Sequence, residues 1–191
     1  MILAIDTSAS QCAVALVGDD VRERRSDRMD RGHAEALMPM IEEMTGGDYS
    51  GITRIAVCTG PGSFTGLRVG ISAARGLALG LGVPCIGVSR LEAIGHGCTG
   101  VVALRGRGET LFLQEFDRGR PVNEPFISTG PAVGDVTGDG APGGGEEDGL
   151  ADPLVLAEIA AARDPGPPPA PLYLRDAAAD PPRDGPPRML D

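Results

Sequence analysis

Residues 54–88, "RIAVCTGPGSFTGLRVGISAARGLALGLGVPCIGV", most constrain what this chain can become: a buried strand, a glycine turn, a helix, a glycine stop and a second buried strand. A glycine-rich turn that opens a helix aims backbone N–H groups forward, and proteins hold phosphates in this way. Here the glycines fall at 60, 62 and 66, matching neither G-x-x-x-x-G-K-[ST] nor G-x-G-x-x-G, and the lysine is missing. The 17 basic residues are all arginine, set against 27 acidic ones for a net charge of −10. Schiff-base and Walker-lysine chemistry are therefore excluded. A chain this acidic repels a nucleic-acid backbone unless its arginines gather on one face or a partner supplies positive charge.

Before this unit, residues 2–5, 11–17 and 20–28 read as an antiparallel three-strand meander, the third strand polar and at an edge. "HAEALMPMIEEM" then changes period, with Ala34, Leu37, Met38, Ile41 and Met44 on one helical face and Pro39 expected to bend it. The order β-β-β-α-β-α-β-α is that expected of an α/β protein with the ribonuclease-H-like unit shared by nucleases and actin-like ATPases, with other mixed sheets left open. Residues 1–98 are expected to form a complete N-terminal lobe, and 99–191 a smaller, shortened C-terminal lobe. The second lobe offers a hairpin from "VVALRG" and "TLFLQEFD", a mobile loop at 130–149 and a helix from Pro153 to Ala162. A proline-rich tail at 164–191 is expected to be extended rather than packed. No run is long and apolar enough for a membrane span and no signal-peptide pattern opens the chain, so a cytoplasmic protein is expected. Cys12, Cys58, Cys85 and Cys98 lack metal-site spacing and are expected to be packed thiols.

Asp6, Thr7 and Ser8 end the first strand. Two readings stand: "DTS" holds a nucleotide phosphate or magnesium, or it caps a hairpin through side-chain to backbone hydrogen bonds. His33 and His96, the only histidines, have no H-x-x-H companion; His33 reads as a cap or interface residue. The carboxylate-rich stretch around Asp135, Asp139 and Glu146 lacks calcium-loop order and reads as a solvated linker. Along the helix after the glycine turn, Gly66, Gly70 and Ala74 make one small-residue stripe and Ser72, Gly76 and Gly80 another. Glycines inside a helix cost about 1 kcal/mol each relative to alanine, so close packing must compensate. Packing within the domain or against a partner meets that need. Three methionines in residues 38–44 add a conformable surface. The candidate association face is His33, Leu37, Met38, Ile41, Met44, Gly66, Val69, Gly70, Ser72, Ala73, Gly76 and Leu77.

"ILAIDTSAS", "HAEALMPMI", the stretch from Cys58 to Ile94 and "PLYLRDAAA" resemble the TsaB (YeaZ) family, scaffold subunits in the synthesis of threonylcarbamoyladenosine on transfer RNA. The resemblance is strong over residues 1–98, thin over 101–128 and returns at 171–178. It implies an actin-like two-lobed fold, a heterodimer with the paralogue TsaD, a homodimer when alone, a cycle involving the ATPase TsaE, and contact with tRNA only through the complex. TsaD carries "VNHLEGH", whose two histidines bind its metal, whereas this chain reads "VSRLEAI". Arg90 and Ile94 stand at the histidine positions, and neither side chain ligates a cation. The resemblance therefore implies a non-catalytic subunit with no metal and no cofactor. The competing classes are an actin-like ATPase or phosphotransferase using Asp6, Thr7 and Ser8 and, more remotely, a glycoprotease-like metallopeptidase.

Overall fold

In a computed structural model that describes residues 1–174, two mixed sheets organise the chain. The first has the order β3-β2-β1-β4-β5, built from Ile2–Asp6 (β1), Gln11–Val17 (β2), Arg22–Arg28 (β3), Arg54–Cys58 (β4) and Cys85–Val88 (β5). The first three strands run antiparallel, while β1, β4 and β5 are parallel. This is the order expected of the ribonuclease-H-like unit. Helices α1 (His33–Thr45) and α2 (Phe64–Leu81) cover one face, and α3 (Arg90–Gly95) follows β5. The second sheet contains Gly100–Arg105 (β6), Leu111–Asp117 (β7), Arg120–Pro121 (β8), Phe126–Ser128 (β9) and Val136–Thr137 (β10).

The alternation along the central strands decides how each face of the first sheet is covered. Leu3 and Ile5 on β1, Val14 and Leu16 on β2, and Ile55 and Val57 on β4 point toward α1 and α2, where Leu37, Ile41, Leu67 and Ile71 meet them. The intervening Ala4, Ala15 and Ala56 face the other way. Small side chains there let a helix approach closely, and α4 (Pro153–Ala161) lies on them through Leu156, Ala157 and Ala160. Its return is fastened by polar contacts. Gln11 Nε2 donates to the Ala151 carbonyl at 2.8 Å, and Arg54 donates to the carbonyls of Ala160 and Arg163.

Although it follows residue 98 in the chain, α4 belongs to the core of the first sheet. The segment 130–149 is also tied down rather than free. Val101 N–H donates to the Asp135 carbonyl, Gly140 N–H to the Ala103 carbonyl, and Arg105 N–H to Asp139 Oδ1. The proline-rich segment starts extended as expected, yet Pro169 is buried beside Gly87, and Leu172 N–H donates to the Thr59 carbonyl at 2.8 Å. The remainder of that tail, including the second half of the motif at 171–178, lies outside the described residues.

The glycine stripes of α2 separate into an inward and an outward set. A Cβ on Gly66 would sit 2.0 Å from the Thr7 carbonyl oxygen, and one on Gly70 would sit 2.4 Å from Thr7 Oγ1. Gly76 and Gly80 have nothing within 4 Å. Gly66→Ala should therefore destabilise the fold by about 3 kcal/mol through overpacking against backbone. Gly76→Ala should stabilise by up to about 1 kcal/mol through helix propensity alone. Urea unfolding of both variants checks the contrast; equal effects would contradict the assignment of the two stripes.

Candidate functional site

Both sequence elements that resemble phosphate loops occur at the C-terminal end of β1 and β4, where they close on each other. Asp6 is fully buried; its Oδ1 accepts from Ser8 N–H at 2.9 Å and its Oδ2 from Gln11 Nε2 at 2.8 Å. Thr7 Oγ1 donates to the Gly66 carbonyl at 2.7 Å. Ser63 N–H donates to the Ser8 carbonyl at 2.8 Å, and Ser63 Oγ caps α2 by accepting from Gly66 N–H. A Cβ on Gly62 would sit 2.0 Å from the Ser8 carbonyl oxygen. Turn and loop are thus in van der Waals contact. Ser63 N–H, a donor that a phosphate loop would present to its ligand, is used internally. Of the two readings of "DTS", this geometry supports the structural one.

Burial tunes the thiols around this lock. Cys58 Sγ donates to Ser8 Oγ at 3.3 Å, and enclosure followed by the nearby Asp6 charge pushes its ionisation well above the usual thiol value. Burial, then Asp27 and Asp6, raises Cys12 from 9.0 to about 11. A thiol whose folded pKa is raised contributes stability that is whole below the unfolded value and is lost as pH climbs toward the folded one.

At the β5–α3 junction, Ser89 and Glu92 form a capping box. Ser89 Oγ accepts from Glu92 N–H at 3.0 Å, and Glu92 Oε2 accepts from Ser89 N–H at 2.9 Å. Glu92 Oε1 also pairs with Arg163 at 2.5 Å. The S-x-x-E spacing was the available signal for this role of Glu92, which the sequence analysis missed. Ile94 packs with Leu91, Val102, Leu104 and Phe116, and Arg90 is 6% exposed. Neither supplies a metal ligand. His96 stands apart, with Nε2 3.6 Å from Glu158.

The candidate association face splits in the same way as the glycine stripes. His33, Leu37, Ile41, Gly66 and Gly70 are buried and belong to the interior, because α1 and α2 turn these positions toward the sheet. His33 Nε2 lies 3.3 Å from the Ala9 carbonyl. Met38, Ser72 and Gly76 are exposed, while Met44, Val69, Ala73 and Leu77 are half-buried. Two exposed apolar residues outside the expected set adjoin or extend the α2 surface: Phe64 (54% exposed), stacked on Tyr173 with Arg68 over its ring, and Leu79 (85%). Their helical register gave the signal for Leu79; the Phe64–Tyr173 contact joins distant segments and had none.

Burial likewise raises Cys85 from 9.0 to about 11. Stability measured by urea unfolding should fall as pH rises from about 9 to about 11. Cys12→Ala should flatten that slope while lowering stability at pH 8. An unchanged slope in the variant would contradict the role given to the buried thiol.

The family profile described as "TsaD: tRNA N6-adenosine threonylcarbamoyltransferase" matches residues 27–148. The chain is 40% identical over 119 residues to the tRNA threonylcarbamoyladenosine biosynthesis protein TsaB of Escherichia coli K12, an alignment covering 61% of this chain and 49% of the relative. It is 34% identical over 115 residues to the tRNA N6-adenosine threonylcarbamoyltransferase of Anaeromyxobacter dehalogenans, covering 50% of this chain and 34% of the relative. These alignments span half or less of the relatives' length. The solved structure of YeaZ from Pseudomonas aeruginosa superimposes with a TM-score of 0.70 at 26% identity, covering 91% of this chain and 99% of that one. With the closed turn and loop, the two-sheet topology and these matches together, the chain belongs to the threonylcarbamoyltransferase family that the TsaD profile describes, on its TsaB (YeaZ) side.

Proposed function

We propose that this chain is a non-catalytic scaffold that pairs with TsaD and supports threonylcarbamoyl transfer to adenosine of tRNA. The observation that carries the reading is the outward face of α2. Ser72, Gly76 and Gly80 form a low strip on it between the exposed Arg68, Arg75 and Leu79, with Val69, Ala73 and Leu77 half-buried alongside. No described element of the chain comes within 4 Å of a Cβ placed on Gly76 or Gly80. A helix surface without bulk lets a second backbone approach closely. The same patch serves a twofold homodimer in the absence of TsaD, since an isologous interface is built from one self-complementary surface. The closed turn and loop and the placement of Arg90 and Ile94 support a role without nucleotide hydrolysis or metal chemistry. Contact with tRNA then comes through the complex, which fits the acidic composition, and TsaE enters as the ATPase of the cycle.

Ser72 and Gly76 are the positions to test, because an arginine at Gly70 would strike Thr7 inside the fold. Ser72→Arg and Gly76→Arg should fold as the parent does and lose roughly a hundredfold in affinity for TsaD and for a second copy of the chain. Glu109→Arg, exposed at the far hairpin, should leave both unchanged. A reconstituted assay with TsaD and TsaE should lose tRNA modification in step with binding. Folded Ser72→Arg and Gly76→Arg that bind as tightly as the parent would overturn the placement of the interface.

A further inference from the structure

A cleft of about 670 Å³ lies where the segment 121–125, which follows β7, and the segment 170–172 meet the residues just after β4 and β5. Gln114 on β7 lines it and is 4% exposed. Asn123 fixes the orientation of its amide: Gln114 Nε2 donates to the Asn123 carbonyl at 3.0 Å, and Asn123 Oδ1 accepts from Glu115 N–H at 2.9 Å. Turning the Gln114 amide over would set two carbonyl oxygens against each other, so Oε1 is the atom left over. That oxygen is buried and has no hydrogen-bond partner among the described residues. A buried acceptor without a donor is costly to keep, so this one calls for a group from outside the fold.

The rest of the wall narrows the kind of donor. No arginine or histidine lines the cleft, and the chain has no lysine. Two carboxylates line it. Glu92 Oε1 pairs with Arg163 at 2.5 Å and its Oε2 accepts from Ser89 N–H at 2.9 Å, which leaves each oxygen a second lone pair. Glu124 is exposed at the rim and makes no ion pair among the described residues. With Glu92 matched by Arg163, the charge of Glu124 leaves the cleft negative. Val122, Pro171 and Leu172 supply apolar surface beside these acceptors. A neutral amide would bring a carbonyl oxygen into an acceptor-rich space, whereas an ammonium brings three donors and no acceptor.

We propose that this cleft binds the primary ammonium group of a small aliphatic amine, with Gln114 as the buried acceptor, Glu92 and Glu124 as the carboxylates that face its charge, and Val122, Pro171 and Leu172 against its alkyl chain. The amine is a monoamine or one end of a diamine. The site has no lining residue in common with the Asp6–Ser8 turn, the Gly60–Gly66 loop or the outward face of α2. It can therefore fail without the association reading failing, and the reverse.

The test titrates the full-length chain with n-butylammonium chloride at constant ionic strength and follows backbone and side-chain amide chemical shifts. Shifts at Ser89, Asn123, Leu172 and the Gln114 carboxamide should saturate with a Kd of about a millimolar. Tetramethylammonium, which has the charge without an N–H, and butanol, which has the alkyl chain without the charge, should leave them unmoved. Putrescine separates the sources: tighter binding than n-butylammonium identifies a diamine site, and equal or weaker binding a monoamine site. Gln114→Met, close in volume but without the acceptor, should weaken binding about tenfold or more, and Glu124→Gln should weaken it by a smaller factor. If Gln114→Met does not fold, the Glu124→Gln affinity and the tetramethylammonium control decide the question. Absent shifts, the result expected if water alone meets Gln114 Oε1, would overturn the proposal. So would shifts shared equally by tetramethylammonium or butanol, shifts concentrated on Asp19 and Asp20, or an unchanged Kd in folded Gln114→Met.

Discussion

The contact between the Asp6–Ser8 turn and the Gly60–Gly66 loop is the constraint on which the rest of the molecule depends. Two glycines without Cβ atoms let α2 lie against the backbone of the first strand, and Thr7 donates across that contact to the Gly66 carbonyl. The buried Asp6 carboxylate holds the turn by accepting from Ser8 N–H and Gln11 Nε2. Buried hydrogen bonds to a charged group are worth about 1.5–3 kcal/mol each, so this turn is a strong local organiser. Its consequences propagate along the chain. The inward stripe of α2 fixes which stripe faces out, and the Gly60 carbonyl receives Arg90 N–H and positions α3.

Function follows from what this closure uses up and what it leaves. The turn and the loop are joined to each other, and on the proposed reading the chain acts through a surface, the outward face of α2. The junction and the face arise from the same packing choice. Had Gly62 and Gly66 carried side chains, α2 would stand away from β1 and its outer stripe would tilt elsewhere.

Much of the first sheet was legible in the sequence because its signals are local. Three apolar or edge strands, the change of period at His33 and the strand–glycine–helix unit after Arg54 mark their elements to within a residue or two. The orientation of α2 was not legible. Gly66, Gly70 and Ala74 have the same spacing as Ser72, Gly76 and Gly80 and similarly small side chains, and contacts with Thr7, some sixty residues away in the chain, set Gly66 and Gly70 apart. The Met-rich face of α1 was read nearly one position off, since His33, Leu37, Met40 and Ile41 turn inward while Met38 turns out. The return of α4 to the first sheet depends on a pairing across more than a hundred residues. Its trace in the sequence was the alternation of large and small residues on β1, β2 and β4, which marks a face awaiting a close helix. The segment 130–149 misled for a related reason: glycines at 134, 138 and 143 with positive φ serve turns along β6 as readily as they serve disorder.

Amide hydrogen exchange at Ser63, with and without ATP, tests the closed turn and loop most directly. This N–H donates to the buried Ser8 carbonyl, so it should exchange only with global unfolding and at a rate that ATP does not change. Fast exchange at Ser63 that slows when ATP is added would show a loop open to phosphate and would contradict the account.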